Sequence, residues 1–192
     1  MRQIKLFPTL IEEHDLRDDP DLPLMRSIIE NQNFKSHPII ADALSTFAID
    51  DGRWLHKPLL SNFRVRLQGL INQYTNTLGI EPVRLANSWV NKMSPGSYIK
   101  QHRHEMSVIS GALYIYADPG SVPLTFHNPV APLRMFEYSV NINELNSGIF
   151  TVGCETGKLL LFPSWLEHSA DQNTTENRIT LSFNTTYYPK KN

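Results

Sequence analysis

Apolar residues in the first part of the chain recur at three- and four-residue steps, and later at two-residue steps or in short unbroken runs. The clearest helical stripe lies between Ser61 and Gly79, where Phe63, Leu67, Leu70, Ile71, Tyr74 and Leu78 share one face. Ser61 is placed to cap the start of that helix and Gly79 to end it. Helical patterning is also read in "LPLMRSIIENQ" after Asp21 and in "PIIADALSTFA" from Pro38. From Val83 onward the pattern becomes one of strands separated by Pro, Gly and Asn. These are "VRLANSWVNKM", "SVISGALYIYA", "PLTFHN", "LRMFEYSV", "GIFTVG", "KLLLFP" and "RITLSFNTTYY". Many short strands spaced by turns predict a β-sandwich or barrel. The expectation is one domain over residues 1–192: a helical support region (1–82) packed on one sheet of a β core (83–192).

Composition narrows the class. The chain has 192 residues, 41% of them apolar and 19% charged, as an ordinary globular protein does. The net charge is −1, so no net basic field exists to hold a nucleic-acid backbone without sequence preference. The single cysteine, Cys154, excludes an internal disulfide and a thiolate-rich zinc site, and an inert thiol is expected there. The first residues contain no signal-peptide core and no run approaches the length of a membrane span, which predicts a cytoplasmic location.

Candidate chemistry gathers around "NKMSPGSYIKQHRHEMSVISGALYI". His102 and His104 are one residue apart, and on a strand residues i and i+2 face one side, near enough to share an ion. The bland alternative is a pair of polar residues on a wet strand face. His168 follows the buried-type strand "LLLF" and a Pro-containing turn. Arg178, ten residues on, opens another strand amid apolar neighbours with no acidic partner in view. A guanidinium in such a place wants a carboxylate or phosphate to grip, so an exogenous dicarboxylate is the expected partner. Neutral imidazoles suit Fe, Zn, Cu and Ni. His127 is the competing ligand; His14, His37 and His56 are read as surface or packing residues.

"LFPT" at 6–9, "WVNKMSPGSYIKQHRH" at 89–104, "SGALYIY" at 110–116, "PLTFHNP" at 123–129 and "LLLFPSWLEHSADQNTTENRITLSFN" at 159–184 together resemble the iron(II)- and 2-oxoglutarate-dependent oxygenases. The similarity is to a family of about two-hundred-residue members from phage and bacteria, related to prolyl hydroxylases and AlkB-type demethylases. It implies a double-stranded β-helix of jelly-roll, cupin-like kind. It also implies Fe(II), with 2-oxoglutarate and O2 as cosubstrates, and hydroxylation with release of succinate and CO2. His102 and His168 match the two iron-binding histidines, and His104 the position usually held by Asp or Glu. Arg178 matches the residue that pairs with the distal carboxylate of 2-oxoglutarate, with Thr180 as helper hydroxyl. Asn91 matches a cosubstrate-contacting Asn, Met93 replaces that segment's Tyr, and Tyr114 is a further cosubstrate candidate. Tyr98, Tyr116 and Trp165 are expected to line the substrate entrance, and Trp89 to lie in the core.

The departure is His104. A third neutral imidazole leaves the centre more positive than a carboxylate does, altering redox potential, anion binding or metal choice. Glu105 is the nearest source of compensating charge, although on a regular strand it points the other way. The same departure supports an alternative, a cupin-type metal- or carboxylate-binding module without oxygenase turnover. Neither the substrate (a protein side chain, a nucleobase or a small metabolite) nor the oligomeric state is encoded in these motifs.

Overall fold

The computed structural model describes residues 1–3, 6–37, 40–134 and 139–189. In chain order the elements are β1 (Glu12–Asp15), α1 (Leu22–Glu30), β2 (Lys35–Ser36), β3 (Ala41–Ser45), α2 (Ser61–Leu78), β4 (Val83–His102), β5 (Ile109–Ala117), β6 (Leu124–His127), β7 (Ile149–Val152), β8 (Lys158–Pro163), β9 (His168–Ala170) and β10 (Arg178–Tyr187). Strands β1-β8-β5-β10-β4 pair side by side, with β3 and then β2 added on β4. The far end of β4 crosses into a second sheet ordered β4-β9-β6-β7. Every strand pair is antiparallel. The result is the mainly β, curled antiparallel half-barrel of a double-stranded β-helix, with its helices on one face.

The period-two rule explains how the large sheet is used. Leu159 and Leu161 of β8, and Leu181 and Phe183 of β10, join Leu22, Met25, Ile29, Phe63, Leu67, Ile71 and Tyr74 of the helices in one buried cluster. The alternate residues of β8, Leu160 and Phe162, turn to the inside of the barrel and pack with Tyr114, Phe126 and Leu166. "KLLLFP" is an unbroken apolar run because both of its faces are covered.

Two bulges adjust this alternation. On β4, Asn184 and Thr185 of β10 oppose Asn87 and Leu85, so Ala86 is the extra residue. Leu85 and Val90 therefore face the helices, while Asn87, Trp89, Asn91 and Met93 line the interior. On β5 the register shift opposite Ile179 and Thr180 makes Ile115 the extra residue. Tyr114 then points inside, and Tyr116 outward under Arg26, whose guanidinium lies 4.8 Å from its ring centroid. Gly96, at φ 92°, lets β4 bend at Pro95–Gly96 and change sheets instead of ending there.

Several expectations need correction. The "PIIADALSTFA" segment is not a helix: Pro38 and Ile39 lie outside the described residues, and Ala41–Ser45 is a strand on β4. Its helix-forming Ala and Leu are outweighed by pairing with a long strand edge. Region 1–82 thus holds strands as well as helices. Of "LRMFEYSV" (133–140), Leu133 and Arg134 end a 3-10 turn that begins at Ala131, 135–138 lie outside the described residues, and Ser139 and Val140 are not in a strand. Ser61 is the first helical residue and caps nothing with its side chain, whereas Gly79 ends α2 at φ 66°.

One close approach gives a stability prediction. A Cβ on Gly111 would lie 2.1 Å from the ring of Phe183 on the neighbouring strand. Gly111→Ala is expected to cost about 1–3 kcal/mol by overpacking, read as a lower urea midpoint at unchanged slope.

Candidate metal centre

β4 and β9 pair directly, and the register sets His102 opposite His168. The strand ends at His102, so the expected regular H-x-H strand is not what aligns the pair. His104 lies just beyond, held by its N–H to the Ser164 carbonyl at 3.0 Å. The three imidazoles still converge. The ring centroids of His102 and His168 are 4.3 Å apart, and His104 lies 5.1 Å from each. Their ligand atoms all fall within 4.8 Å of one another, and the Nε2 atoms of His104 and His168 are 3.3 Å apart. Nitrogens about 2.1 Å from a shared ion stand roughly 3 Å apart, so the cluster fits one metal with little adjustment.

Burial prepares these groups as ligands. It holds the His168 imidazole down to about 3 and that of His104 to about 4, with charge on neighbouring His102 adding to each. Both rings are therefore neutral at pH 7, the form that binds metal. The unfolded chain takes up protons near 6.5 that the folded chain refuses, so stability rises with pH from about 4 to about 6.5. Lowering the metal-free protein from pH 7.5 to 5 is expected to remove about 2 kcal/mol through His168 alone. A series of urea midpoints checks this, and His168→Gln should flatten the slope.

The imidazoles open into a cavity of about 360 Å³. Arg178 reaches it from β10 and is only 2% exposed. Its Nε donates to the Val122 carbonyl at 2.9 Å, its Nη1 to the Met93 sulfur at 2.8 Å and to Thr180 Oγ1 at 3.4 Å, and the guanidinium lies 5.3 Å from the Tyr114 ring centroid. No ion pair among the described residues includes it. Four buried side-chain atoms have no hydrogen-bond partner among the described residues: Asn87 Oδ1, Trp89 Nε1, Asn91 Oδ1 and Tyr114 OH. All four residues line this cavity. Unpaired buried polar groups are expensive, and their concentration here marks a surface shaped for a polar ligand.

All seven candidate residues (His102, His104, His168, Arg178, Thr180, Asn91 and Tyr114) face the one cavity. His127 does not join the metal cluster; its Nε2 bonds Ser169 Oγ at 2.8 Å. Glu105 is exposed at the rim, 3.7 Å from Arg103, and brings no buried charge to the centre. Tyr98, Tyr116 and Trp165 are not among the lining residues, Tyr116 because of the β5 bulge and Trp165 because its turn leaves it 52% exposed. Burial pushes the Cys154 thiol up to about 11, as suits an inert group.

Sequence reading missed His37, Asn87 and Phe47 as cavity residues; Trp89 is buried, as expected, and also lines the cavity. His37 is carried in by the connection to β3, its Nδ1 accepting the Ile40 N–H at 2.8 Å. Trp89 lies 6.1 Å from His104 and Phe47 5.3 Å from Trp89, ring to ring.

A half-barrel of this shape, with a histidine cluster able to hold a metal, is the architecture of the 2-oxoglutarate oxygenases, and known proteins agree. Residues 87–184 match the family described as "Putative 2OG-Fe(II) oxygenase", and the chain belongs to it. No curated protein matches the sequence. Among solved structures, a Pseudomonas putida prolyl-4-hydroxylase is 13% identical at a TM-score of 0.64, covering 94% of each chain. The viral collagen prolyl hydroxylase of Paramecium Bursaria Chlorella virus-1, solved as a 2-oxoglutarate complex, is 12% identical at 0.59, covering 93% of this chain and 96% of that one. HygX from Streptomyces hygroscopicus, with nickel and 2-oxoglutarate bound, is 12% identical at 0.62, covering 93% and 83%. At these identities the likeness is one of fold. No helix among the described residues is long and apolar enough to cross a membrane.

Proposed function

We propose that the protein is a non-haem Fe(II)- and 2-oxoglutarate-dependent dioxygenase that hydroxylates a substrate C–H group. The observation that carries this reading is Arg178: a buried cation with no carboxylate partner among the described residues, in the same cavity as three convergent imidazoles. Burying a lone charge costs several kcal/mol, which an anionic ligand gripped by the guanidinium offsets. A metal ligand at one end and a carboxylate at the other is the chemical outline of a 2-keto dicarboxylate.

In this reading His102, His104 and His168 are the residues that would hold iron. Iron, with 2-oxoglutarate and O2 as cosubstrates, would supply an oxidative decarboxylation that puts one oxygen atom into succinate, releases CO2 and leaves the other for the substrate C–H group. Arg178 pairs with the distal carboxylate, supported by the Thr180 hydroxyl. Tyr114 donates a hydrogen bond from its phenolic O–H to the same end, since burial weakens the acidity of the phenol and keeps it protonated. Asn91, on the cavity-facing side of β4, contacts the body of the keto acid. Phe47 and Trp89 wall the approach beside His104, where the reacting end of the substrate enters and bulk water is excluded. Part of a volume of about 360 Å³ is left beyond the cosubstrate, enough for a side chain, a base or a small metabolite.

Anaerobic addition of Fe(II) and 2-oxoglutarate should give a weak visible charge-transfer band, and admitting air should release succinate. The third imidazole favours one other reading, a metal- or carboxylate-binding module of cupin type. Tight Zn or Ni binding with no band and no succinate would establish that reading instead.

A further inference from the structure

We infer that Asn184 sets the tautomer of His104, and so decides whether the third imidazole is able to bind metal; this rests on the metal-centre reading above. The other two ligands are pre-set by the backbone. His102 Nδ1 lies 2.9 Å from the Lys100 carbonyl and His168 Nδ1 lies 3.0 Å from the Leu166 carbonyl. A carbonyl only accepts, so each Nδ1 carries the proton and each Nε2 presents a lone pair.

His104 has no such fixed partner. Its Nδ1 faces the side-chain amide of Asn184, with Nδ2 at 3.4 Å. An NH2 group only donates, so in this arrangement Nδ1 accepts and the proton sits on Nε2. That proton points at the Nε2 lone pair of His168, 3.3 Å away. The network is self-consistent without metal, and it blocks the donor the metal needs.

Freeing Nε2 of His104 requires a proton on Nδ1 and an acceptor facing it. Reversing the Asn184 amide supplies Oδ1. The reversal is absorbed behind it: Ser110 Oγ lies 2.7 Å from Asn184 Oδ1 and 2.8 Å from Ser164 Oγ. A hydroxyl accepts as readily as it donates, so Ser110 Oγ accepts a hydrogen bond from the Asn184 Nδ2–H and turns its own O–H toward Ser164. Apart from the exchange of Asn184 Oδ1 and Nδ2, no heavy atom has to leave its position. Ser110, Ser164 and Asn184 are at most 5% exposed, so bulk water does not replace the relay. Ser164 also accepts the His104 N–H on its carbonyl, which ties relay and ligand into one unit. The chain gives a role to three positions of the motifs "SGALYIY", "FPSW" and "SFN" that the metal and cosubstrate leave unassigned.

Two variants divide positioning from packing. Asn184→Leu removes the acceptor and is expected to weaken Co(II) and Zn(II) binding 10- to 100-fold in a chelator competition. Asn184→Asp keeps an acceptor that cannot donate and should bind at least as tightly as wild type. Ser110→Ala, which leaves Asn184 in place, should weaken binding several-fold. Long-range proton–nitrogen correlation of labelled wild-type protein should find the His104 proton on Nε2 without metal and on Nδ1 with Zn(II). Equal weakening by Leu and Asp, wild-type affinity in Asn184→Leu, or an Nδ1 proton in the metal-free protein would overturn the inference. A wild-type protein that holds no divalent metal overturns the metal centre itself, a separate result from tight binding indifferent to residue 184.

Discussion

Replacing His168 by Ala is expected to yield a folded protein that retains no stoichiometric metal and releases no succinate from 2-oxoglutarate. Structural Zn sites of four ligands are worth about 10–16 kcal/mol, so one ligand of three carries roughly 3 kcal/mol, a loss on the order of 100-fold or more. His168 is the member with least alternative, 5% exposed and held on β9 between β4 and β6. Its ring packs 4.9 Å from Phe162 and 6.2 Å from Phe126, so the truncation also opens a small void. That cost is partly offset because the variant no longer keeps an imidazole neutral by burial. Metal analysis after gel filtration, beside a urea midpoint within about 2 kcal/mol of wild type, separates lost ligation from lost folding. His127→Ala is the control and should keep its metal, since His127 is engaged with Ser169. Stoichiometric metal in the His168 variant would place the ion elsewhere.

Much of this centre was legible because its order along the chain is fixed by the barrel. The two histidine contexts and the arginine sit at the ends of strands that antiparallel pairing brings together, and their inward parity on β10 follows from simple alternation. Arg178, Thr180, Ser182 and Asn184 all face inside, as the period of two requires. What could not be read were the two bulges. One extra residue at Ala86 turns Val83 and Leu85 toward the helices where alternation from Asn91 would send them inward, and one at Ile115 sends Tyr116 out of the cavity. A bulge leaves little trace in sequence, yet it inverts the face of every residue beyond it. His37 was missed for another reason. It precedes β3 in the chain and its N–H donates to the Ala43 carbonyl of that strand, whose Ala- and Leu-containing sequence has helical propensity and becomes a strand only through its long-range partner.

Arg178→Met should separate cosubstrate binding from folding and from metal binding. Methionine fills the aliphatic volume of the arginine but carries no charge to grip a carboxylate. Losing one partner of a buried, hydrogen-bonded charge pair costs 2–5 kcal/mol, so the 2-oxoglutarate concentration for half-saturation should rise about 100-fold or more. Binding of Co(II) or Zn(II) alone should not change, because Arg178 bonds Val122, Met93 and Thr180 and none of the imidazoles. Stability of the ligand-free protein sets two opposed terms against each other. The variant leaves the Val122 carbonyl without its donor, at about 1–3 kcal/mol. It also removes a buried cation that no carboxylate among the described residues neutralises, which returns several kcal/mol. The net expectation is a ligand-free protein no less stable than wild type that has lost its stabilisation by 2-oxoglutarate, measured as the shift of the melting temperature with added keto acid. Arg178→Lys keeps the charge and loses the fork, so it should recover part of the affinity. An arginine present only for structure would give the reverse: a destabilised Met variant whose melting shift with 2-oxoglutarate is unchanged.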